Sequence, residues 1–563
     1  MIMTRRVLLG FAAALLALPL WAAQAPGKAA IASAHPLATE AGMEILAAGG
    51  NAFDAAVAVS AALAVVEPKG SGLGGGGFYL LHRASDGRQV FLDAREVAPA
   101  AATRDMYLDA DGKVIEGLST RSARAAGIPG EPAAFAHLAT NYGRLPLATS
   151  MAPAIRLARE GYPLYEKMQK ELERALRAER LLDSTTAEFA RIFLVDGRLP
   201  PVGHVIRLPE LAASLEVIAA KGADGYYRGP FAKKLVRGVR KLGGIWSEQD
   251  LADYRVIERA PAVTTYRGVR IVSAPPPSSG GIWLANVLNM LSGYDLDHVD
   301  AATRKHLIVE SMRRAHRDRA EYLGDPAFAK VPVEMLMDPD YAAGQRASIR
   351  PDKATPSEML PGYIAGGSGG GTQTTHFSVL DAEGNRVAAS ITLNGWFGTG
   401  IVVPGTGILL NNQMDDFAVK PGVPNMYGLV GAAANEVAPG KRPLSSMAPS
   451  FLEGERGVAI LGSPGGSFIP TMVLLGTLNW IGGADATAIV AAPRFHQQYE
   501  PDAIFAEPEA LTAEEKAGLE QRGHSVRPWP GTLGNMQVIT WDTATGKVVA
   551  ASDPRSAGGS AVR

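Results

Sequence analysis

The absence of cysteine decides which side chains of this 563-residue chain can act as nucleophiles. Without thiols there are no disulfides, no thiolate nucleophiles and no cysteine metal sites, so covalent chemistry falls to serine or threonine. A hydroxyl is a poor nucleophile at neutral pH and needs an adjacent base. Thr374 could use its own α-amine, because an unstrained α-amine titrates near pH ~7.7 to 8.0. That amine would exist only if the chain were cut between Gln373 and Thr374.

The residues around Thr374 predict a β-hairpin. A glycine-rich linker ends at Gly371, strand-like residues occupy 374–380, and a turn signal centred on Glu383 leads into a second strand. Folding the chain about Glu383 places Thr374 opposite Thr392 on one face of the sheet, where the two hydroxyls could form a hydrogen bond. A slip of one residue would turn Thr392 to the other face. By itself, the pattern also fits an ordinary hairpin that follows a surface linker.

The N-terminus predicts an export signal. Arg5 and Arg6 precede an apolar run that Pro19 interrupts, and small residues follow it. The run is shorter than the roughly 20 residues that a membrane-spanning helix needs. We therefore expect residues 1–25 to be a cleaved signal peptide, with the general and the twin-arginine routes both open. The mature protein would be periplasmic or secreted, without a membrane span.

Composition and patterning predict a globular protein of mixed α and β structure. The hydrophobic content is 47% and the formal net charge is −1, which gives no electrostatic reason to expect a nucleic-acid partner. Two Ala-rich helices are expected within 37–66, with Asn51 capping the second. Further expectations are strands at 78–81 and 90–92, a mostly helical middle from about 130 to 350 interrupted by a strand at 269–272, and a last strand pair near 536–550.

Short motifs spread from Ala34 to Ser556 together resemble the γ-glutamyltranspeptidase family of N-terminal-nucleophile hydrolases. They are GGNA at 49–52, DAA at 54–56, GGGGF at 74–78, PPPSSGG at 275–281, YLGDP at 322–326, TTH at 374–376, NNQMDDF at 411–417, KRPLSS at 441–446, GSPGGS at 462–467 and DPRS at 553–556. The resemblance implies an α+β fold, a four-layer αββα sandwich. It also implies a precursor cut between Gln373 and Thr374 into a large subunit, 26–373, and a small catalytic subunit, 374–563, which stay together as a heterodimer.

The resemblance also implies a site for a γ-glutamyl headgroup, which is zwitterionic at its α-carbon. Arg95 matches the arginine that binds the α-carboxylate, a task that suits a planar fork of donors. Asp416 matches the carboxylate that pairs with the α-ammonium. The remaining binding positions implied are Asn394, Gln413, Ser445 and Ser446 as polar contacts and Tyr427 on a lid over the substrate. Glutathione and other γ-glutamyl compounds are the expected donors, and water, amino acids or peptides are the expected acceptors.

The expected catalytic set is Thr374 as nucleophile, Thr392 as its partner, and Gly465 and Gly466 as backbone donors to the oxyanion. No cofactor and no metal are implied. Two departures from the family pattern, Phe468 and Trp396, point to an altered acceptor preference.

Some features of the sequence also suggest other functions. Residues 72–77 formally match a dinucleotide fingerprint, but the fingerprint must open a helix, and the residues after it predict a strand. The histidines include no His-Glu-x-x-His pattern, and His316 is expected on a solvated helix face beside arginines. A cephalosporin or glutaryl acylase on the same scaffold stays open as an alternative. So does a non-enzymatic exported protein that binds amino acids or peptides.

Overall fold

The computed structural model describes residues 25–177, 185–362 and 373–563. The predicted signal peptide, apart from its last residue, and the glycine-rich linker before Thr374 lie outside these ranges. Across the described ranges, no helix combines the length and the apolar character needed to cross a bilayer.

The described residues form the following strands: β1 Ala30–Ser33, β2 Gly76–Arg83, β3 Arg88–Ala94, β4 Tyr162–Pro163, β5 Val205–Ile206, β6 Ile257–Arg259, β7 Ala262–Tyr266, β8 Val269–Ser273, β9 Thr375–Leu380, β10 Arg386–Thr392, β11 Val402–Val403, β12 Ile408–Leu409, β13 Ser450–Gly454, β14 Gly457–Gly462, β15 Phe495–His496, β16 Ile504–Ala506, β17 Val526–Pro528, β18 Gln537–Asp542, β19 Val548–Ser552 and β20 Gly559–Val562.

They also form these helices: α1 Pro36–Ala47, α2 Ala52–Val66, α3 Glu131–Asn141, α4 Leu147–Glu160, α5 Glu166–Arg177, α6 Ala187–Phe193, α7 Pro209–Lys221, α8 Ala223–Tyr227, α9 Gly229–Lys241, α10 Glu248–Asp253, α11 Gly280–Leu291, α12 Ala301–Tyr322, α13 Val333–Met337, α14 Pro339–Ala347, α15 Ile469–Ile481, α16 Ala486–Ala491 and α17 Ala513–Gln521.

Two antiparallel sheets form the centre of the molecule. The first sheet has the strand order β20-β1-β9-β10-β2-β3-β6, and the second has the order β19-β18-β14-β13-β8-β7. The side chains of β9 point alternately to the two faces of the first sheet, which shows how the two sheets are layered. Phe377 and Val379 pack into a core with α1 and α2, whereas Ser378 faces the second sheet and donates to Gln537 O at 3.0 Å. Helices α11, α15 and α16 pack with the second sheet. The predicted four-layer αββα sandwich of the α+β class is confirmed.

The first two helices follow the sequence prediction closely. Helix α2 is buried along its whole length and begins with a capping box. Asn51 Oδ1 accepts from the N–H of Phe53 and of Asp54, while Asp54 Oδ2 accepts from the N–H of Asn51. These reciprocal bonds satisfy donors that every helix start leaves open, and they account for Asn and Asp at this spacing.

The expectation of a solvated charged face on helix α12 was wrong. Arg313, Arg314 and His316 are all buried. Both arginines pair with Glu310, at 3.2 and 2.7 Å, and His316 Nδ1 accepts from Trp283 Nε1 at 3.0 Å. Buried charges persist when they are paired and hydrogen-bonded, and a count of polar residues along a helix does not reveal such pairing.

Candidate active site

The hairpin of β9 and β10 has the predicted register. Its ladder pairs Thr375 with Ile391, so the next residues outward, Thr374 and Thr392, face each other. Their Oγ1 atoms are 3.1 Å apart. Thr392 Oγ1 also accepts from the N–H of Asn394 at 2.8 Å. Because that bond uses a lone pair of Thr392, its hydroxyl proton remains able to point at the oxygen of Thr374.

The backbone at Thr374 has an unusual conformation. Thr374 has φ +89°, a region that β-branched residues rarely occupy, and such conformations cost about 1–3 kcal/mol. The carbonyl oxygen of Gln373 accepts from the N–H of Gly465 at 2.9 Å. A donor at this oxygen withdraws electron density from the carbonyl carbon, which makes that carbon easier to attack.

The loop between β14 and α15 contains two adjacent glycines. Gly465 has φ +141° and Gly466 has φ +55°, values in the region that favours glycine. A Cβ at Gly466 would lie 2.6 Å from Cδ1 of the Tyr427 ring. The close approach of this ring requires glycine at position 466, since any larger residue would push the ring away.

An ion pair between a buried arginine and a partly buried aspartate lies next to the two threonines. Arg95 follows the end of β3, and its Nη2 donates to Asp416 Oδ2 at 2.5 Å, while its Nε donates to Pro443 O at 3.1 Å. Gln413 Nε2 donates to the same Asp416 oxygen at 2.7 Å. Arg95 is only 1% exposed. Read alone in the sequence, this residue would pass for a surface arginine.

Hydrogen bonds hold the backbone around this ion pair. Asn394 Nδ2 donates to Asn412 O at 2.9 Å, and the hydroxyl of Tyr427 donates to Asn394 O at 2.8 Å. Ser445 Oγ accepts from the N–H of Met447 at 3.0 Å. The loop that carries Tyr427 is thereby joined to the strand that carries Thr392.

These side chains surround one small, partly open cavity of about 20 Å³, which we call the inner cavity. Its lining residues are Arg95, Thr374, Thr392, Asn394, Gln413, Asp416, Tyr427, Leu429, Ser445, Ser446, Met447, Gly466 and Ile469. Every binding position expected from the sequence is therefore brought together. Leu429, Met447 and Ile469 were not anticipated, because an apolar residue that lines a cavity looks the same in sequence as one that packs in the core.

A wider space also reaches Thr374, and we call it the outer cleft. It is open to solvent and has a volume of about 800 Å³, and its walls include Gln373, Glu67, Lys69, Lys167, Glu171, Arg174, Trp396, Trp529 and Arg555. Of the two departures noted in the sequence, Trp396 lies in this wall. Phe468 is buried behind it, with its ring 5.1 Å from that of Trp529. The inner cavity and the outer cleft meet at Thr374.

The histidine of the Thr-Thr-His motif lies near the threonine pair without sharing its solvent access. His376 Nδ1 is 2.9 Å from Ser390 Oγ, and its Nε2 is 3.3 Å from Ser378 Oγ. Burial lowers the pKa of His376 to about 3, so the imidazole is neutral at physiological pH. A titration of this histidine cannot govern chemistry at Thr374 near neutral pH.

Comparison with known proteins agrees with this geometry. The family model of γ-glutamyltranspeptidase matches residues 38–563. The chain is 44% identical over 498 residues to a glutathione hydrolase proenzyme of Pseudomonas sp. (strain A14), covering 88% of this chain and 85% of the relative. It is 42% identical over 532 residues to that of Escherichia coli (strain K12), covering 93% and 90%. A solved cephalosporin acylase from Bacillus halodurans superposes with a TM-score of 0.83 at 31% identity, covering 96% of each chain. The chain belongs to the γ-glutamyltranspeptidase family.

Proposed function

We propose that this protein is a self-processing γ-glutamyltransferase. It cuts its own chain between Gln373 and Thr374, giving subunits 26–373 and 374–563, and then moves γ-glutamyl groups from glutathione and related amides to water, amino acids or peptides. The observation that carries the proposal is the meeting of a paired threonine hydroxyl with a buried Arg95–Asp416 ion pair around one cavity. The predicted signal peptide would take the enzyme to the periplasm or outside the cell.

Self-cleavage begins with attack of Thr374 Oγ1 on the carbonyl carbon of Gln373. The peptide nitrogen leaves and takes a proton, which produces an ester and a free α-amine on Thr374. Water then opens the ester, leaving a carboxylate on Gln373 and restoring the hydroxyl. The hydrogen bond from Gly465 N–H to the Gln373 oxygen supports this step, because negative charge develops on that oxygen.

Turnover uses the same hydroxyl on a different carbonyl. The neutral α-amine of Thr374 takes the hydroxyl proton as the oxygen attacks the γ-carbonyl carbon of the substrate. The resulting oxyanion is held by the N–H groups of Gly465 and Gly466. The leaving amine receives the proton from the ammonium, and a γ-glutamyl ester remains on Thr374. Water or an acceptor amine attacks this ester, regenerating the enzyme.

The Arg95–Asp416 pair suits a zwitterionic headgroup. A substrate that brings one carboxylate and one ammonium can exchange the internal ion pair for two new ones, so neither buried charge is left unpaired. Arg95 takes the α-carboxylate, with hydroxyl donors from Ser445 and Ser446. Asp416 takes the α-ammonium. Gln413 and Asn394 add polar contacts at the same end of the inner cavity, and Tyr427 closes it.

Two chromogenic donors separate this function from acylase chemistry. γ-Glutamyl-p-nitroanilide carries the α-ammonium, whereas glutaryl-p-nitroanilide keeps the carboxylate and lacks only the ammonium. We expect rapid release of p-nitroaniline from the first and slow release from the second, because Asp416 has a partner only in the first. A preference for the glutaryl donor would favour a cephalosporin-type acylase. An uncut chain that binds amino acids without turnover would identify a binding protein.

The rate of γ-glutamyl transfer should rise with pH. The α-amine of Thr374 accepts a proton only when neutral, so kcat/KM should increase through a midpoint near pH ~7.7 to 8.0 and fall below it. Self-cleavage precedes the appearance of this amine, and its rate should lack that midpoint. Both profiles can be measured on one preparation by following band conversion and p-nitroaniline release. A midpoint near pH ~6.5 for transfer would indicate a histidine base instead.

Alanine at position 466 should damage the oxyanion site. Its Cβ would meet the Tyr427 ring and its φ would be strained, so the loop must shift and kcat/KM for γ-glutamyl-p-nitroanilide should fall about 10²-fold. Gly483→Ala is the matched control, because Gly483 also has positive φ but a Cβ there meets nothing within 4 Å. Equal losses in both variants would mean that backbone strain alone explains the effect.

A further inference from the structure

The cations that line the outer cleft differ in whether they have a carboxylate partner. Most of its cations already have carboxylate partners. Lys69 Nζ lies 3.0 Å from Glu171, and Lys170 lies 2.5 Å from Glu166. Arg555 lies 2.9 Å from Glu507. In each of these three pairs the carboxylate neutralises the cation, so Lys69, Lys170 and Arg555 are not free to bind an anionic ligand.

Lys167 and Arg174 differ from these pairs. Among residues 25–177, 185–362 and 373–563, neither has a carboxylate within ion-pair distance. Lys167 Nζ donates to Arg555 O at 3.2 Å and to Ser556 Oγ at 3.1 Å, which uses two of the three donors of an ammonium. The guanidinium of Arg174 lies 5.7 Å from the centre of the Trp396 ring. The two cations are seven positions apart on α5 and therefore share one helix face.

The surroundings of Lys167 favour an anion beside it. The side chain is half-buried, and its pKa is lowered first by burial and then by repulsion from Lys69. Attraction from Glu171, Glu67 and Asp553 offsets part of this effect, but a carboxylate that arrives with a ligand would give the partly desolvated ammonium a direct counter-ion. The contact with Trp396 restricts Arg174 in the same wall, so a second cation lines the cleft on the same helix face.

The position of the cleft indicates which ligand brings the carboxylate. A γ-glutamyl headgroup in the inner cavity places its reacting carbonyl at Thr374, where the outer cleft begins. The amine side of the scissile amide must then extend into the cleft. In glutathione that side is a dipeptide whose free carboxylate lies two residues beyond the bond, a reach of about 7 Å. A peptide that accepts the γ-glutamyl group would occupy the same path.

We propose that Lys167 and Arg174 bind the free C-terminal carboxylate of the leaving or accepting peptide. This inference rests on the proposed γ-glutamyl transfer and adds a second recognition site on the opposite side of the reacting carbonyl. It makes the enzyme selective for donors whose leaving group is anionic and for acceptors with a free C-terminus. Such selectivity weakens as salt screens the partly exposed cations.

A matched pair of donors tests the proposal. γ-Glutamyl-p-nitroanilide has no carboxylate on its leaving group, whereas γ-glutamyl-3-carboxy-4-nitroanilide has one. The measured quantity is the ratio of kcat/KM for the carboxylated donor to that for the plain donor. In Lys167→Met and in Arg174→Met this ratio should fall about tenfold from the wild-type value. Arg174 is exposed, so its variant should fold even if the lysine variant does not.

Lys170→Met is the control, because Lys170 is on the same helix and lines the same cleft but is paired with Glu166. Its donor ratio should equal that of the wild type. Equal losses for both donors in the Lys167 and Arg174 variants would overturn the proposal, since they would assign the cations to folding or to the new C-terminus at residue 373. Failure of the wild type to release either aniline would instead overturn the proposed function, and this inference with it.

Discussion

Replacing Thr374 with alanine should leave a single uncut chain that transfers no γ-glutamyl groups. The substitution removes the hydroxyl oxygen that we propose attacks the Gln373 carbonyl and later carries the acyl group. Because one residue serves both steps, this variant should lose both self-cleavage and γ-glutamyl transfer completely. Denaturing electrophoresis and intact mass spectrometry of the purified variant measure the first loss, and p-nitroaniline release measures the second.

Thr375→Val is the matched control for this prediction. Thr375 is the next residue on the same strand, is also buried, and its ladder partner is Ile391. Valine keeps the shape of the threonine side chain and replaces its hydroxyl with a methyl group. This variant should still cleave and turn over. Two subunit-sized bands from Thr374→Ala would contradict the assignment of the nucleophile.

Replacing Asp416 with asparagine should raise KM for γ-glutamyl-p-nitroanilide about 10- to 100-fold. Asparagine keeps the shape of the side chain, but it cannot neutralise the α-ammonium of the donor, and hydrogen bonds to charged groups contribute about 1.5–3 kcal/mol. The variant also leaves Arg95 without its partner at 2.5 Å, so the donor carboxylate should still be attracted. The effect should therefore appear in KM far more than in the extent of processing.

The control for Asp416→Asn is a change of substrate. Glutaryl-p-nitroanilide has no ammonium to lose, so its kcat/KM should change little, and the preference for the γ-glutamyl donor should collapse. Equal increases in KM for both donors would show that Asp416 acts only by holding the fold around Arg95. That result would remove the main distinction from an acylase.

Local signals were sufficient for the hairpin that carries the two threonines. A turn centred on Glu383 with strand residues on both sides specifies a register, and side-chain alternation then decides which residues share a face. The two helices separated by Gly49, Gly50 and Asn51 were predictable for a similar reason, because a capping residue and its partner three positions on lie within one short stretch.

The geometry of the site depends on contacts that no local pattern contains. Arg95 and Asp416 are 321 positions apart in the chain, and only the closing of β3 against the loop after β12 brings them together. The motif resemblance named both residues, but it did not show that they pair with each other. The charges of the outer cleft were missed for the same reason, since Lys167 differs from other helix lysines only in what lies opposite it.

The hydrogen bond from Gly465 to the carbonyl of Gln373 affects when the protein can become active. In the uncut chain the N–H of Gly465, which we propose as a donor to the substrate oxyanion, is occupied by the carbonyl oxygen of Gln373. Under the proposed self-processing, the newly made protein is its own first substrate and, until the cut is made, its own inhibitor. Activation by this proposed route would be a single irreversible event in each copy and would need no separate protease.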